Sequence, residues 1–318
     1  TCQNNDCTYT IDKFITYQNN NGTSDSATLA AADNGTTSAS TYANYISTYN
    51  DYQSTGVVVF ATGNDSTNAQ PNVLAGLPVL ATELNDAWLA VGNLDVSGNT
   101  ISAGSVTRYS NQCGLAQEFC VYADGTDITS TVGGFSGSSE TGRYQIYSGS
   151  SMAAPQVTGA IALLSQAFPN HTPAQLVDRI LATANNSFYT TTGNTTFING
   201  VTHGYNSEWG HGIVDLNSAL SPISSSNLIP PNNGNNPENN YFGNINNSRR
   251  FSIASSQIRL GSAFGDSLQN SLNGRKAYFY DALNGGFAFN MGTLIKSHEN
   301  NKNISHSFNN FLKDKKIL

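Results

Sequence analysis

The sequence predicts an α/β domain with a mainly parallel β-sheet and flanking helices. A continuous apolar run of strand length at residues 57–61 and a second, mostly apolar segment at residues 87–94 support this prediction, because strands buried on both faces of a parallel sheet have this pattern. Segments with helical spacing alternate with these runs, which is typical of the α/β class. A length of 318 residues accommodates one large domain with an appendage, or two domains.

The N-terminal part contributes one predicted helix. Residues 1–38 are polar and contain few helix or strand signals. Residues 39–54 place Ile46 and four tyrosines at helical spacing, and Gly56 follows as a stop signal. We therefore expect the first helix here, directly before the first buried strand.

Three further elements follow the second strand. Residues 118–131 predict a third strand that an Asp-Gly pair interrupts. Residues 152–168 are almost all small or apolar, so we expect a central helix that is buried on most sides. Thr172 is suited to cap another helix, with Pro173 at its first position.

Composition limits the classes of function. Charged residues make up only 11% of the chain, and its polarity comes mainly from Asn, Ser, Thr and Gly, as in an exported protein. The net charge of −7 argues against a nucleic-acid partner, because phosphate binding needs clustered Lys and Arg. No stretch approaches the ~18 apolar residues of a membrane helix. The sequence predicts no cofactor.

Four cysteines fall into two close pairs, Cys2 with Cys7 and Cys113 with Cys120. An even count in close pairs predicts two local disulfides and an oxidising compartment. A metal or redox site is the alternative. The spacings do not match one, and no ligand-spaced His lies nearby.

A change of composition divides the chain. Residues 223–250 are dense in Pro, Asn, Gly and Ser without an apolar period, which predicts a linker. We therefore expect residues 1–222 to belong to one domain, and residues 251–318 to form a separate tail region.

The stretch GSSMAAP at residues 149–155 contains a candidate nucleophile. A serine becomes nucleophilic only when a base takes its proton and its position is fixed. Ser151 stands at the start of the predicted central helix, where unpaired N–H groups and the helix dipole favour developing negative charge. Gly149 allows the chain to turn and a substrate to approach the backbone. The alternative is an ordinary serine-capped core helix.

A second candidate residue, Asn64, follows the first apolar run in VVVFATGND. Ligand sites of parallel sheets lie just beyond the carboxyl ends of the strands. A side-chain amide there can donate a hydrogen bond to an oxyanion. The alternative is a turn asparagine after Gly63, which is common.

Five segments in order, covering residues 40–220, resemble the subtilisin-like serine proteases (the subtilases, peptidase family S8). GSSMAAPQVTGAIALL is similar to the family's nucleophile motif, with Ser150 in place of the usual Thr. VVVFATGND, AWLAVGNLD, RYSNQCG with FCVYADGTDITST, and GHGIVDLNSAL resemble further family segments, although Asp124 replaces the usual Pro. The resemblance implies the subtilisin-like fold and protein or peptide substrates.

The resemblance also implies a role for each matching position. Ser151 would be the nucleophile, and Asn64 with the Ser151 N–H would form the oxyanion hole. Residues 60–64 would form one wall of the pocket for the substrate side chain before the cleaved bond. The residues expected to contact substrate are Ala61, Thr62, Gly63, Gly149 and Ser150.

One part of the family pattern is missing. The subtilisin triad runs Asp, His, Ser along the chain, but no His precedes His171 and neither Asp-Thr-Gly nor His-Gly-Thr occurs. We therefore expect a truncated fragment without the general base and its acid partner, which is inactive alone. Any calcium sites would belong to the missing part of the domain.

Two other functions remain open. An α/β-hydrolase esterase would use Ser151 with Asp178 or Asp215 and with His203 or His211, since its triad runs Ser, Asp, His. A non-catalytic surface or adhesion module on the protease scaffold would explain the missing base and the Asn-rich loops.

The C-terminal region suggests a cellular context. The pair Cys113 and Cys120, and the segment at residues 251–295, resemble features of the autotransporter subtilases of Gram-negative bacteria. This resemblance implies a cell-surface or extracellular protease whose full-length form has an outer-membrane translocator barrel. A small accessory β domain is the alternative.

Overall fold

A computed structural model describes residues 9–32, 35–98, 100–132, 144–223 and 258–298. The chain divides into two units, Thr1–Ile223 and Ser224–Leu318. The predicted linker, apart from residue 223, lies outside the described residues.

The central sheet of the first unit has four strands. They are β1 (Val58–Ala61), β2 (Trp88–Val96), β3 (Val106–Arg108) and β4 (Cys120–Asp124). Strands β1 and β4 pair in parallel with β2, and β3 pairs antiparallel with the end of β2. The predicted α/β class and mainly parallel sheet are therefore confirmed.

Strand β2 lies at the centre of the core. Its residues from Trp88 to Leu94 are all buried, which explains why they are apolar apart from Asn93. The Trp88 ring stacks on Phe60 at 5.2 Å and meets Tyr49 edge-on at 5.4 Å, measured between ring centroids. These aromatic contacts bury one side of the tyrosine-rich helix that precedes β1.

Four helices precede or interrupt the sheet: α1 (Ile11–Asn21), α2 (Asp25–Ala32), α3 (Ala39–Gln53) and α4 (Leu77–Leu80). Helix α3 confirms the prediction for residues 39–54. Helices α1 and α2 contradict the expectation of little structure before residue 38. Only Ile11 and Phe14 of α1 are buried, and so few apolar contacts give a weak helical period.

Three helices follow the sheet strands: α5 (Ser150–Ala167), α6 (Pro173–Thr183) and α7 (Leu216–Leu220). Helix α5 packs on β1, β2 and β4. The expectation that α5 is buried on most sides is wrong, since Leu163 is 50% exposed. The sheet covers one face of α5, and no described element covers the opposite face.

Helix α6 begins as its sequence predicts. The Thr172 side chain accepts a hydrogen bond from the Gln175 N–H, and the Gln175 side chain accepts one from the Thr172 N–H. Pro173 occupies the first turn, where a missing N–H costs little. This capping box confirms the predicted start of the helix.

Two antiparallel strand pairs complete the first unit. They are β5 (Ile128–Thr131) with β6 (Tyr144–Tyr147), and β7 (Gly193–Thr196) with β8 (Thr202–Tyr205). The second unit contains β9 (Ile258–Gly261), α8 (Ser262–Leu272), β10 (Lys276–Tyr280), β11 (Gly286–Asn290) and β12 (Ile295–His298).

One predicted disulfide is present, between Cys113 and Cys120. Cys2 and Cys7 lie outside the described residues, so their pairing stays a prediction. In the described part of the chain, no helix has the length and apolarity that crossing a membrane requires. The same residues contain no cluster of three or more His, Cys, Asp or Glu that could hold a metal ion.

Candidate active site

The N-terminus of α5 lies where two strands of the sheet end. The chain leaving β1 reaches Gly63, whose N–H donates to Ser150 Oγ at 3.3 Å. The chain leaving β4 reaches Gly125, whose carbonyl accepts from the Gly149 N–H at 2.9 Å. Both strands are parallel, so their carboxyl ends and the helix N-terminus form one edge, the usual place for a ligand site.

The two adjacent serines have different surroundings in the structure. Ser150 is only 1% exposed, and its Oγ lies 2.9 Å from Asn64 Oδ1 and 3.1 Å from the Gly63 carbonyl. Ser151 is exposed in the first turn of α5, and its Oγ has no hydrogen-bond partner among the described residues. Ser150 therefore joins the helix to the loop after β1, whereas the Ser151 hydroxyl is free to react.

The Asn64 side chain is oriented by the helix. Its Oδ1 accepts from the Ser150 backbone N–H at 2.8 Å as well as from the Ser150 hydroxyl. Because Oδ1 has these donors, Nδ2 is the atom that the exposed Asn64 side chain can offer to a ligand. The Ser151 N–H belongs to the first helical turn, whose amides have no acceptor within the helix.

Gly149 permits this contact between loop and helix. Its φ of 152° and ψ of 168° form a backbone conformation that residues with a side chain rarely adopt. A Cβ on Gly149 would lie 3.0 Å from Asn64 Oδ1 and 3.1 Å from Nδ2. Any larger residue would push the Asn64 amide away from α5.

Asn111, which sequence reasoning missed, holds the loop that carries Asn64. This residue is 2% exposed, and its Oδ1 accepts from the Asp65 N–H at 2.9 Å. Its Nδ2 donates to the Gln70 carbonyl at 2.9 Å, and its backbone N–H donates to the Gly63 carbonyl at 3.0 Å. Asn111 lies in the segment RYSNQCG, but its contact with residues more than 40 positions earlier is visible only in the fold.

Asn93 is a second buried amide that sequence reasoning missed. It is fully buried in β2, and its Oδ1 accepts from the Gly125 N–H at 2.7 Å. Its Nδ2 has no hydrogen-bond partner among the described residues. Leaving such a buried donor unsatisfied costs about 1–3 kcal/mol.

The predicted pocket wall is partly buried. Thr62 is fully buried, and its hydroxyl donates to the Asn111 carbonyl at 3.3 Å. The Thr62 and Ser150 side chains therefore face the protein, while Ala61 and Gly63 are half-buried. Contacts of this wall with a ligand would involve mainly its backbone.

Charge near the site is limited to its rim. Asp65 is exposed beside Asn64, and hydrogen bonds from the Thr67 hydroxyl and amide lower the pKa of its carboxyl. Tyr122 lies beneath the loop, and its hydroxyl donates to the carbonyls of Asn111 and Glu208. Burial raises the pKa of Tyr122, so its phenol stays protonated.

The two candidate histidines of the esterase hypothesis contact each other. Their Nδ1 atoms lie 3.0 Å apart, and the Nε2 atoms of His203 and His211 contact the carbonyls of Ala184 and Glu118. Burial lowers the pKa of both imidazoles, that of His211 to about 3. In the described part of the chain, no imidazole is hydrogen-bonded to Ser151.

The candidate carboxylates of that hypothesis have other positions. Asp215 caps α7, with Oδ1 accepting from the Ser218 N–H at 2.9 Å. Burial raises the pKa of Asp178, on α6, to about 6, with a smaller contribution from Asp86.

Comparison with known families decides the identity of the fold. Residues 4–212 match the model of the subtilase family, which is more than half of the chain. The chain belongs to the subtilase family. The resemblance of the five segments is therefore confirmed, and so is the subtilisin-like α/β fold.

Of three relatives of this subtilase, one is a serine protease by name. An extracellular serine protease of Serratia marcescens is 34% identical over 145 residues, 40% of this chain and 13% of that protein. Fervidolysin of Fervidobacterium pennivorans is 30% identical over 175 residues, 52% of this chain and 21% of that protein. Subtilisin E of Bacillus subtilis is 37% identical over 118 residues, 31% of this chain and 29% of that protein.

The solved structures that are similar to this subtilase include that of fervidolysin, which is described as a keratinolytic enzyme related to subtilisin. It shares 29% identity over 58% of this subtilase and 25% of that chain, with a TM-score of 0.40. This subtilase spans only 13–29% of the length of the three relatives named above. None of these comparisons shows whether this subtilase is of the autotransporter type, so that assignment stays a prediction.

Proposed function

We propose that this chain is the nucleophile-bearing part of a subtilisin-like serine endopeptidase. The observation that carries the proposal is the contrast between the buried, hydrogen-bonded Ser150 and the exposed Ser151 beside Asn64. Family membership supports the reaction class, hydrolysis of peptide bonds.

In this proposal Ser151 Oγ attacks the carbonyl carbon of the peptide bond. The negative charge that develops on the carbonyl oxygen accepts hydrogen bonds from Asn64 Nδ2 and the Ser151 N–H. The peptide bond breaks, the amine leaves with a proton, and an acyl group remains on Ser151 until water hydrolyses the ester. The backbone of Ala61 and Gly63 would contact the substrate side chain before the cleaved bond.

The general base and its acid partner would come from polypeptide outside this chain. The subtilisin order places both before the nucleophile, and the first histidine here is His171. His203 and His211 contact each other and two carbonyls rather than Ser151. We therefore expect the 318 residues alone to lack peptidase turnover.

The proposal includes protein or peptide substrates and an extracellular location. The disulfide between Cys113 and Cys120 supports an oxidising compartment, and one relative is named an extracellular serine protease. The likeness of residues 251–295 to autotransporter proteins supports an outer-membrane translocator as partner in a longer protein. Calcium would bind only in the part of the domain outside this chain.

The test combines this chain with the polypeptide encoded upstream of it. A fluorophosphonate probe and a fluorogenic peptide would be applied to the 318-residue chain and to the longer protein. We expect labelling and turnover only in the longer protein. Ser151→Ala should abolish both, and the neighbouring Ser150→Ala should keep labelling with reduced turnover.

Three results would each contradict a part of the proposal. Turnover in the longer protein that survives Ser151→Ala would exclude Ser151 as nucleophile. An upstream sequence without Asp and His motifs would leave Ser151 without a base and favour the non-catalytic surface module. Turnover by the 318-residue chain that depends on Ser151 would disprove its inactivity.

A further inference from the structure

Asn93 is fixed in the core directly beneath the candidate active site. Its backbone N–H donates to Ser110 Oγ at 2.8 Å, and its carbonyl accepts from the Tyr109 N–H at 3.1 Å. On the other side of β2 it stands opposite Ala123 of β4. The backbone of Asn93 is therefore held on both sides, and the residue is fully buried.

Only one of the two polar atoms of the Asn93 side chain has a hydrogen-bond partner among the described residues. Oδ1 accepts from the Gly125 N–H at 2.7 Å, whereas Nδ2 has no partner among the described residues. A leucine has almost the same shape and would remove the unsatisfied donor. An asparagine at this position therefore costs stability, and among the described residues the bond from Gly125 is the only side-chain hydrogen bond that offsets the cost.

Gly125 transmits the position of Asn93 to the start of α5. Its carbonyl accepts from the Gly149 N–H at 2.9 Å. A Cβ on Gly125 would lie 2.5 Å from the Gly149 carbonyl oxygen, 2.7 Å from the Ala153 nitrogen and 2.8 Å from Asn93 Oδ1. The end of β4 is therefore in close contact with both β2 and the helix N-terminus.

Gly149 in turn sets the first turn of α5. Its carbonyl accepts from the N–H groups of Met152 at 2.9 Å and of Ala153 at 3.2 Å. Ser151 lies between Gly149 and these donors, so a shift of Gly149 changes the position of its hydroxyl and N–H. Asn93, Gly125 and Gly149 thus form a chain of two hydrogen bonds from the core to the candidate nucleophile.

We propose that Asn93 is a positioning residue for Ser151, acting through the Gly125 and Gly149 main chain. This inference rests on the proposed serine-protease function. Asn93 does not contact the substrate. Its Oδ1 fixes the position of Gly125 at the end of β4. Through Gly125 it fixes Gly149, which places Ser151 for attack on the peptide carbonyl.

The first test does not depend on activity. Hydrogen exchange would be followed by NMR on the 318-residue chain, with Asn93→Leu, Asn93→Asp and the control Gln53→Leu. We expect Asn93→Leu to speed exchange of the Gly125 and Gly149 amides by about tenfold or more, because the Gly125 N–H loses its acceptor, Asn93 Oδ1. Asn93→Asp keeps an acceptor oxygen near the α5 N-terminus and should keep the protection.

The second test uses the longer, active protein. We expect Asn93→Leu to lower kcat about tenfold with KM unchanged within about twofold, because misplacement of reacting groups affects the chemical step. Asn93→Asp should restore most of kcat. Gln53→Leu removes a comparable buried amide outside the Gly125 connection: its Oε1 accepts from the Asp86 and Ala87 N–H groups, and its Nε2 has no partner among the described residues. This control should change neither kcat nor exchange at Gly149.

The results separate the inference from the proposed function. Unchanged exchange at Gly149 in Asn93→Leu would overturn the inference, and so would altered exchange with unchanged kcat. An equal loss of kcat in Gln53→Leu would show a purely structural role and overturn it too. If the unsubstituted longer protein shows no Ser151-dependent turnover, the proposed function fails and the inference fails with it.

Discussion

The sheet edge around Ser151 and the closing region at residues 184–222 satisfy their buried polar groups in different ways. At the sheet edge the buried polar side chains are amides and hydroxyls: Thr62, Asn93, Ser110, Asn111 and Ser150. In the closing region His211 is buried, and fully buried Arg179 of α6 donates to the carbonyls of Ala219 and Ser221.

This difference predicts that the two regions respond differently to pH. Amides, hydroxyls and main-chain groups keep their hydrogen bonds across the physiological pH range, so the position of Ser151 does not depend on pH. The imidazoles of the closing region and the half-buried carboxylate of α6 have different pKa values in the folded and unfolded states, so the free energy of unfolding changes with pH there. We therefore expect substitutions at the sheet edge to have effects independent of pH, and the stability of the closing region to vary with pH.

The largest effect is expected for Asn64→Ala in the longer protein. Loss of one oxyanion donor lowers kcat by about 10²–10³-fold, a magnitude that comes from measurements on the corresponding asparagine of subtilisin. KM should change little, and the loss should be the same at about pH 7 and pH 9. Kinetics over that range would check this. A loss of kcat that varies with pH would contradict the expectation that hydrogen bonds at the sheet edge are independent of pH.

A smaller effect is expected for Asn111→Ala. The Asp65 N–H and the Gln70 carbonyl each lose a hydrogen bond, so the free energy of unfolding should fall by about 1–3 kcal/mol at any pH. Urea unfolding at pH 6 and pH 8 measures this. Asn68→Ala, in the same loop, removes only an acceptor for the Gln70 N–H and should cost less than about 0.5 kcal/mol.

The sequence predicts the parts of this site that depend on local pattern. Apolar runs locate β1 and β2, the Thr172 cap locates α6, and the close spacing of Cys113 and Cys120 locates the disulfide. Each of these signals lies within a few consecutive residues, so no knowledge of the fold is needed to read it.

The remaining parts depend on contacts between distant segments. Asn93 and Asn111 look like ordinary asparagines in the sequence, and their importance appears only when β2 and the segment after β3 come beside the loops of Gly125 and Gly63. The exposed face of α5 could not be predicted, because composition shows that a helix is apolar but not which elements cover it. Likewise, polar helices such as α1 have too few buried residues for a clear period.

The closing region should become less stable in acid. Burial lowers the pKa of His203 and His211, so the folded state stays neutral while the unfolded state takes up protons below its ordinary pKa of about 6.5. Stability is then fully present above pH 6.5 and is lost as pH falls towards 3. We expect a loss of about 1–2 kcal/mol between pH 7 and pH 5, measured by urea unfolding.

Substitution distinguishes this pair from other acid-sensitive groups. His203→Gln should flatten the slope between pH 7 and pH 5, and so should His211→Gln. Both Nε2 atoms face carbonyls and therefore donate, so a third proton between the Nδ1 atoms would complete all three hydrogen bonds. Stability that rises as pH falls would show such a proton and contradict the expected sign.

The smallest effect, of opposite sign, is expected for Asp178→Asn. Burial, and to a lesser extent Asp86, raises the pKa of Asp178 from 3.8 to about 6, so the folded state favours the protonated carboxyl. Its contribution is fully present below pH 3.8 and is lost as pH rises through 6. At pH 7 the ionised carboxylate destabilises the fold, and the substitution removes that cost.

Because Asp178 is only partly buried, solvent screens its charge, and we expect Asp178→Asn to raise the free energy of unfolding by less than about 1 kcal/mol at pH 7. The difference should become small near pH 4 and disappear well below pH 3.8, where the carboxyl is protonated in the unfolded state as well. Urea unfolding at pH 4, 5.5 and 7 measures this difference, with Asp86→Asn giving a smaller gain. A gain of equal size at all three pH values would show that packing, and not charge, controls stability here.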